Sequence, residues 1–289
     1  MRKFALVLPL VFISMSTHAS SLELSRASAP RAISAVPLLK GQIPQSSVAR
    51  GEGVITIAYL SAPTRRYDHG VLGDKVEAAN LTLVLDDGRE RTYELPAYRV
   101  FEDLEPRLYN LDCQDAEEVV VVESDLKLGA SLAVYGLRGG EIVKLAATPF
   151  LGHSHRWLNP VGAGDFNGDA VTDLALVATP HIGGILELYS YTPPDLSRYA
   201  SMRGISTHSI GSTALGMGRV VTGEGKDLIL VPSQHHDELL LLEWADGKIV
   251  EKARLSLPAA ISGDLVPTGH NQWMFRLESG SYYTVKVVP

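Results

Sequence analysis

The sequence predicts an all-β fold built from a repeated unit, and three observations support this prediction. An acidic residue before a short apolar run recurs at steps of 55 and 54 residues, as Glu118, Asp173 and Asp227. A second apolar run follows each first one, at residues 132–135, 186–189 and 239–242, with turn residues such as Asp246-Gly247 after it. No stretch shows the 3.6-residue apolar spacing of an amphipathic helix.

Repeats of this length that contain strands alone predict a β-propeller. A four-stranded antiparallel sheet cannot close its own edges or cover both of its faces, whereas several such sheets around an axis can. Hairpins at residues 81–95 and 273–287 flank the three clear units, which gives about five blades within residues 49–289. The run at residues 54–60 has no hairpin mate nearby, so we expect it to pair with the C-terminal strand and close the ring.

The N-terminal residues read as a signal peptide. Arg2 and Lys3 precede an apolar run at residues 4–13, and Ala19 ends the segment with a small side chain. A buried N-terminal helix is the alternative, but the run is too short to span a bilayer. We therefore expect residues 1–19 to be removed, residues 20–48 to form a flexible lead-in, and the protein to be periplasmic or secreted.

The composition excludes several classes of protein. With 289 residues, 45% of them hydrophobic, and one cysteine, the chain is neither disordered nor a disulfide scaffold. A net charge of −7 without clustered Lys or Arg argues against nucleic-acid binding. No later apolar run reaches the length of a transmembrane segment.

A loop at residues 165–173 has the spacing of a calcium site. Oxygen-bearing side chains stand at alternate positions, and a backbone carbonyl completes the set: Asp165, Asn167, Asp169, Val171 (the carbonyl) and Asp173. Calcium takes six to eight oxygen ligands, and three carboxylates this close would repel one another without a cation. A solvated turn rich in Asp, Asn and Gly is the alternative.

Residues 164–169 and 172–177 together resemble the FG-GAP/VCBS repeat of integrin-alpha-like propellers. The resemblance is specific over about fifteen residues and only periodic elsewhere. It implies that the loop binds calcium between two strands of a blade, and that partners dock on a face of the disc.

Two neighbouring repeats carry degenerate copies of this loop. Shifting back by 55 residues gives a weaker second calcium site, at Asn110, Asp112, Gln114, Ala116 and Glu118. Shifting forward by 54 residues gives a set that cannot hold a cation: Arg219, Val221, Gly223, Gly225 and Asp227. In this third copy we expect Asp227 to be a turn or capping residue.

Polar residues upstream of the loops are candidates for contacting a ligand. In a propeller, the segment that leads into the innermost strand lies at the mouth of the central channel. The candidates at such positions are His69, Arg107, His155, Trp157, Asn159 and His208. The alternative is that they seal the channel by hydrogen bonding between blades.

The function predicted from these features is that of a calcium-binding module or scaffold for an unknown protein or glycan. An alternative is a hydrolase or lyase that acts on a carbohydrate or phosphoester at the channel mouth. A lectin that stacks a sugar on Trp157 is a third possibility. No G-x-S-x-G nucleophile elbow or complete dinucleotide fingerprint supports an enzyme of those types.

Overall fold

The computed structural model of this chain describes residues 20–31, 36–112 and 116–288. Regular structure in these residues consists of 21 strands and includes no helix. Accordingly, the described ranges contain no helix long and apolar enough to cross a membrane. The signal peptide expected at residues 1–19 lies outside the described residues.

The strands are numbered in chain order: β1 (Ser21–Ala27), β2 (Ala49–Arg50), β3 (Ile55–Thr64), β4 (Glu77–Leu85), β5 (Glu90–Glu94), β6 (Arg99–Phe101), β7 (Arg107–Tyr109), β8 (Glu118–Asp125), β9 (Gly129–Arg138), β10 (Glu141–Ala147), β11 (Leu158–Gly164), β12 (Asp173–Ala178), β13 (Ile185–Thr192), β14 (Asp195–Arg203), β15 (Arg219–Val221), β16 (Leu228–Pro232), β17 (Glu238–Ala245), β18 (Lys248–Ser256), β19 (Val266–Gly269), β20 (Gln272–Arg276) and β21 (Tyr282–Val288).

These strands form four-stranded antiparallel meanders. β11 to β14 make one sheet and β15 to β18 another, while β19, β20 and β21 make a third, whose fourth strand is β1. The remaining nine strands share one sheet, which holds two more meanders, β2 to β5 and β7 to β10. The short strand β6 joins these two by pairing with β4 and β8. The described chain therefore passes through five four-stranded units.

The repeat seen in the sequence corresponds to the second strand of three successive meanders. β8 begins at Glu118 and β12 at Asp173, and β16 begins directly after Asp227. The second apolar runs are the third strands of the same meanders, β9, β13 and β17. Every residue of β8 and β12 is buried. Because both faces of these strands are covered, each meander depends on its neighbours for its core.

In two of these meanders the third strand ends in the turn residues that the sequence predicts. The link between β17 and β18 is Asp246-Gly247, with φ values of 50° and 80°. Gly139 and Gly140 between β9 and β10 have φ values of 62° and 82°. Positive φ at both central residues matches the right-handed twist of a tight hairpin and favours Gly and Asp.

The pairing expected for residues 54–60 is wrong. This run lies in β3, which pairs with β4 and β2, with Leu60 opposite Leu81 and Ala58 opposite Leu83. The connection between β3 and β4 is the long segment of residues 65–76 and not a tight turn. Two strands of a hairpin are recognised in a sequence when a short turn joins them. The long connection therefore hides the pairing of β3 with β4.

The C-terminal strand pairs instead with residues expected to be a flexible lead-in. β1 lies antiparallel to β21, with Leu22 opposite Val287 and Leu24 opposite Val285. The two leucines alternate with exposed Ser and Glu side chains, so the strand has a low mean hydropathy and reads as linker. Further along this segment Ile43 is also buried, and its N–H donates to the Leu60 carbonyl at 3.1 Å.

Leu24 should therefore contribute to stability although it precedes the expected domain. Its side chain packs on a cluster that includes Trp273 and Val285. Leu24→Asp should lower the free energy of unfolding by about 2–3 kcal/mol, because it places a carboxylate against apolar side chains. Glu23→Ser, on the exposed face of the same strand, should change it by less than about 0.5 kcal/mol. Urea unfolding measures both, and equal stabilities would contradict the pairing.

Candidate functional site

A cavity of about 330 Å³ is lined by residues that lie before or within the first strands of the meanders. Each of the five meanders contributes to its lining. The lining residues are Gln45 and Ser47 before β2, Leu104 and Glu105 before β7, Arg107 and Tyr109 in β7, Pro160 and Val161 in β11, Thr213, Leu215 and Gly216 before β15, Arg219 at its start, and Asp264 before β19. A volume of this size lies at the lower end of those of small-molecule sites.

Arg107 is held in this cavity by a buried counter-ion. Its Nη1 lies 2.7 Å from Asp103 Oδ2, and its Nη2 lies 3.3 Å from Asp103 Oδ1. The Asp103 carboxylate also accepts the N–H of Val122 at 3.0 Å and that of Leu104 at 2.9 Å. Such a two-point pair fixes the plane of the guanidinium and balances its charge. Arg107 therefore forms a rigid part of the wall.

Arg219 enters the same cavity without a carboxylate partner. Its Nε donates to the Leu265 carbonyl at 2.7 Å, and its Nη groups make no hydrogen bond to any described residue. A Cβ at position 216 would overlap this guanidinium, so a larger residue there would displace the arginine from its present position. Burial lowers the pKa of Arg219, although the nearby Asp264 raises it. The arginine remains protonated, and Asp264 and Glu105 offset its charge through space without forming a direct ion pair.

Tyr109 borders the cavity together with these two arginines. Its hydroxyl has no hydrogen-bond partner among the described residues, and its ring borders the cavity. Burial raises the pKa of Tyr109, while the charges of Arg107 and Arg219 act in the opposite direction. The hydroxyl therefore stays protonated and is available as a donor.

A second polar cluster surrounds the buried carboxylate of Glu102. One carboxylate oxygen bonds to His69 Nδ1, and the other accepts from the Ser124 hydroxyl. The His69 ring centroid lies 4.8 Å from that of His155, whose backbone N–H donates to the Tyr67 hydroxyl at 2.6 Å. Burial raises the pKa of Glu102, and the hydrogen bond from His69 lowers it. His69 is partly exposed and His155 is exposed, so the cluster reaches the surface.

A third cluster joins two neutral histidines to a tryptophan. His181 Nε2 lies 2.8 Å from His208 Nδ1, and His208 Nε2 lies 2.9 Å from the Ser212 carbonyl. A carbonyl can only accept, so His208 carries its proton on Nε2, and its Nδ1 accepts from His181. The Trp157 ring lies 4.7 Å from His208 and donates its Nε1–H to the Glu102 carbonyl at 3.0 Å. Burial lowers the pKa of His181 and of His208 to about 4.

Four of the six residues expected to contact one ligand are grouped, because His155 and Trp157 border one small pocket, with His69 beside His155 and His208 beside Trp157. Arg107 reaches the cavity, His69 and His155 share the Glu102 cluster, and Trp157 and His208 share the third cluster. Arg107 lines the larger cavity and Asn159 is fully buried, so the expected convergence on one site stays a prediction for the other four residues only.

Asn159, the sixth of these residues, is fully buried. Its Nδ2 donates to the Thr207 carbonyl at 3.1 Å and to the Leu215 carbonyl at 2.9 Å. These bonds hold the segment before β15 against β11. Asn159 therefore follows the alternative prediction, in which these residues form hydrogen bonds between repeats.

Sequence reasoning missed Arg219, Tyr109 and Asp264 as members of the cavity. Arg219 occupies the first slot of the third loop copy, where the calcium-type loop has Asp165. The signal that could have identified Arg219 is its basic side chain at a position where the calcium-type loop has an acidic one. Tyr109 and Asp264 carry no such pattern, since only the packing of the meanders brings them together.

The loop at residues 165–173 is organised by its own acidic side chains. Asp165 Oδ1 accepts the Gly168 N–H at 2.7 Å, and its Oδ2 accepts the Ala170 N–H at 2.8 Å. Gly168 turns the chain with a φ of 82°. Asp173 is fully buried; its Oδ2 accepts from the Tyr199 hydroxyl at 2.6 Å, and its Oδ1 has no partner. Within the described ranges, no three or more His, Cys, Asp or Glu side chains are grouped as a metal site.

The two degenerate copies differ from this loop in their charge balance. Asp112 Oδ2 lies 3.5 Å from Arg138 Nη2, and Glu118 Oε2 accepts the Leu111 N–H at 2.9 Å. Gln114, another residue of the weaker calcium site, lies outside the described residues. In the third copy Asp227 accepts the N–H groups of Gly223 at 3.3 Å and Asp165 at 3.1 Å. The capping role expected for Asp227 is confirmed.

Comparison with known protein families and with characterised protein sequences finds no match to this chain.

The paired histidines make stability depend on pH in a defined direction. Because the pKa of His181 is about 4 in the fold and about 6.5 in an unfolded chain, the unfolded state takes up the proton first as pH falls. Stability should therefore decline between about pH 6.5 and 4. Without His181 the chain takes up as much as one proton fewer on unfolding, so the free energy of unfolding changes less with pH.

His181→Gln should therefore show a shallower decline of the free energy of unfolding than the parent over that range. Urea unfolding at several pH values measures the slope. The exposed His270→Gln provides the matched control, and its slope should equal that of the parent. A parent slope retained in His181→Gln would show that this histidine is not held neutral.

Proposed function

We propose that the chain is an exported five-bladed β-propeller that binds calcium and acts as a binding module for a ligand or protein. Each four-stranded meander is one blade, with its first strand nearest the axis. The support is topological: residues before or within the first strands border one cavity, and β1 supplies the fourth strand of the last meander. The resemblance of residues 164–177 to the FG-GAP/VCBS repeat agrees with this arrangement.

Calcium fits the loop at residues 165–173 because of Asp173. This carboxylate is fully buried, and one of its oxygens lacks any hydrogen-bond partner. Burial, with the nearby charges of Asp169 and Asp165, raises the pKa of Asp173 to about 6. A divalent cation would satisfy the orphaned oxygen and remove the repulsion. The residues that would hold it are Asp165, Asn167, Asp169, the Val171 carbonyl and Asp173.

The ion's role is structural, because the loop also contacts the next meander. The Asp165 N–H donates to Asp227 Oδ2 at 3.1 Å, and the Asp227 N–H donates to the Asp165 carbonyl at 2.7 Å. A loop fixed by calcium thus fixes the start of β16. At Asp112 in the weaker copy Arg138 already supplies positive charge, so we assign one calcium ion per chain.

Removing calcium should destabilise the protein. An ion present at a hundred times its Kd adds about 2.7 kcal/mol, which corresponds to roughly 5–10 °C in a chain of this size. EDTA should lower the Tm of the parent by that amount, and Asp169→Ala should make the Tm insensitive to EDTA. Differential scanning calorimetry measures both.

Asp195→Ala, at an exposed aspartate outside the loop, should respond to EDTA as the parent does. A parent Tm that EDTA leaves unchanged would refute the calcium site.

The binding function is carried by one observation, the cavity that residues from every meander line. Its wall holds both arginines, and no serine or cysteine among its lining residues is paired with an imidazole. Such a site is equipped to hold a ligand by charge and hydrogen bonds. Catalysis of acyl or phosphoryl transfer by a side-chain nucleophile would need an activating base within reach.

One observation favours the enzyme alternative, a hydrolase or lyase acting on a carbohydrate or phosphoester. His69 is paired with the buried Glu102, and His155 stands beside it at the surface. A carboxylate that orients an imidazole is a common arrangement for general acid or base catalysis. This cluster lies apart from the residues that line the cavity.

A retention experiment separates the two functions. The purified protein is incubated with a small-molecule extract, washed, and analysed by mass spectrometry. The binding function predicts that molecules are retained unchanged, and that Thr213→Trp, which fills the cavity from its exposed rim, loses them. Thr179→Trp, which lies outside the cavity, is the control. The binding function would be contradicted if Thr213→Trp still retained the molecules. It would also be contradicted if cleaved molecules were recovered and their cleavage required His69.

A further inference from the structure

The unused Nη donors of Arg219 point to a ligand group that the described residues do not supply. Arg107 has Asp103 as its counter-ion, but no described carboxylate forms an ion pair with Arg219. Its Nε is used by the Leu265 carbonyl, so the remaining donors are the two Nη groups. A guanidinium presents these donors in a fork that matches the two oxygens of a carboxylate or phosphate.

A neighbouring donor borders the same cavity. The hydroxyl of Tyr109 is unpartnered among the described residues, and the charge of Arg219 acts on it. Both residues are partly exposed, so these donors are open to a ligand that enters the cavity. A bound acceptor group would satisfy Arg219 and Tyr109 together.

The rest of the lining restricts the charge of that acceptor. Asp264 borders the cavity with one oxygen bonded to the Gly216 N–H at 2.7 Å, and Glu105 borders it as well. These carboxylates would repel a dianion such as phosphate. They are also acceptors that suit hydroxyl or ammonium groups, and Gln45 and Thr213 add neutral polar contacts.

We propose that the cavity binds a small organic acid that carries one carboxylate together with hydroxyl or ammonium groups. The carboxylate accepts from both Nη groups of Arg219 and from the Tyr109 hydroxyl. The hydroxyl or ammonium groups donate to Asp264 and Glu105. This assignment deepens the proposed binding function and rests on it, since it names the ligand class of the same cavity.

Isothermal titration calorimetry with four probes tests the ligand class. D-Glucuronate carries hydroxyl groups, L-glutamine carries an ammonium group, acetate has the carboxylate alone, and inorganic phosphate is the competing anion. We expect one of the first two to bind, and acetate and phosphate to bind at least roughly tenfold more weakly, since each lacks donors or adds charge. The arm that binds identifies the hydroxyl or the ammonium source.

Two conservative variants test the residues. Arg219→Lys keeps the charge but loses the fork, and should weaken the binding probe roughly tenfold or more. Tyr109→Phe keeps the buried ring and should weaken it by about threefold to tenfold. Arg203→Lys, at an exposed arginine outside the cavity, should bind as the parent does. Circular dichroism and the response of the Tm to EDTA confirm that each variant is folded.

The proposal is overturned if neither D-glucuronate nor L-glutamine binds, if phosphate binds more tightly than both, or if a folded Arg219→Lys binds as the parent does. Each of these outcomes leaves the stabilisation by calcium and the retention of other molecules unaffected. Failure of the ligand class is thereby distinguished from failure of the proposed function.

Discussion

The burial of both faces of the central strands is the constraint on which the rest of this structure depends. All residues of β8 and β12 are buried, and the apolar clusters combine side chains from successive meanders, such as Leu188 and Leu242. A single four-stranded sheet would expose both of these faces to water, at a cost of about 25 cal/mol for each Å² of apolar surface. The meanders must therefore pack on one another, and residues before or within their first strands line a shared cavity.

Two adjacent carboxylates connect that space with the histidine clusters. Asp103 faces Arg107 in the cavity wall, and Glu102 holds His69 on the other side. Burying two acids in consecutive positions is unfavourable unless each is fully paired, and here each receives more than one hydrogen bond. One short segment between β6 and β7 thus sets the geometry of both polar regions.

Much of the strand order was readable from the sequence, whereas the contents of the cavity were not. The 55- and 54-residue steps located β8, β12 and β16, because buried strands leave a strong apolar signal. β1 was missed since half of its side chains face water, and the pairing of β3 with β4 was missed since a long connection separates them. Both errors come from local patterns being used to infer pairing between distant segments.

The residues of the site differ in the same way in how far the local sequence predicts them. Arg107 and the acidic loop could be selected by residue type and spacing, but Tyr109 and Asp264 acquire their meaning from neighbours far away in the chain. His236 is buried, and its Nε2 lies 2.9 Å from Ser206 Oγ. Its hydrogen-bond partner lies between β14 and β15, and no local sequence pattern reveals that contact.

The pairing of β1 with β21 also governs the order of assembly. Ser21 lies opposite Val288, so the last sheet joins residues near the two ends of the described chain. Contacts of such high sequence separation carry a large loop-closure entropy and form late in folding. Until the C-terminal strand emerges from synthesis, β1 has no partner and leaves Leu22 and Leu24 exposed. The sheet that contains β1 is therefore completed only after β21 has been synthesised.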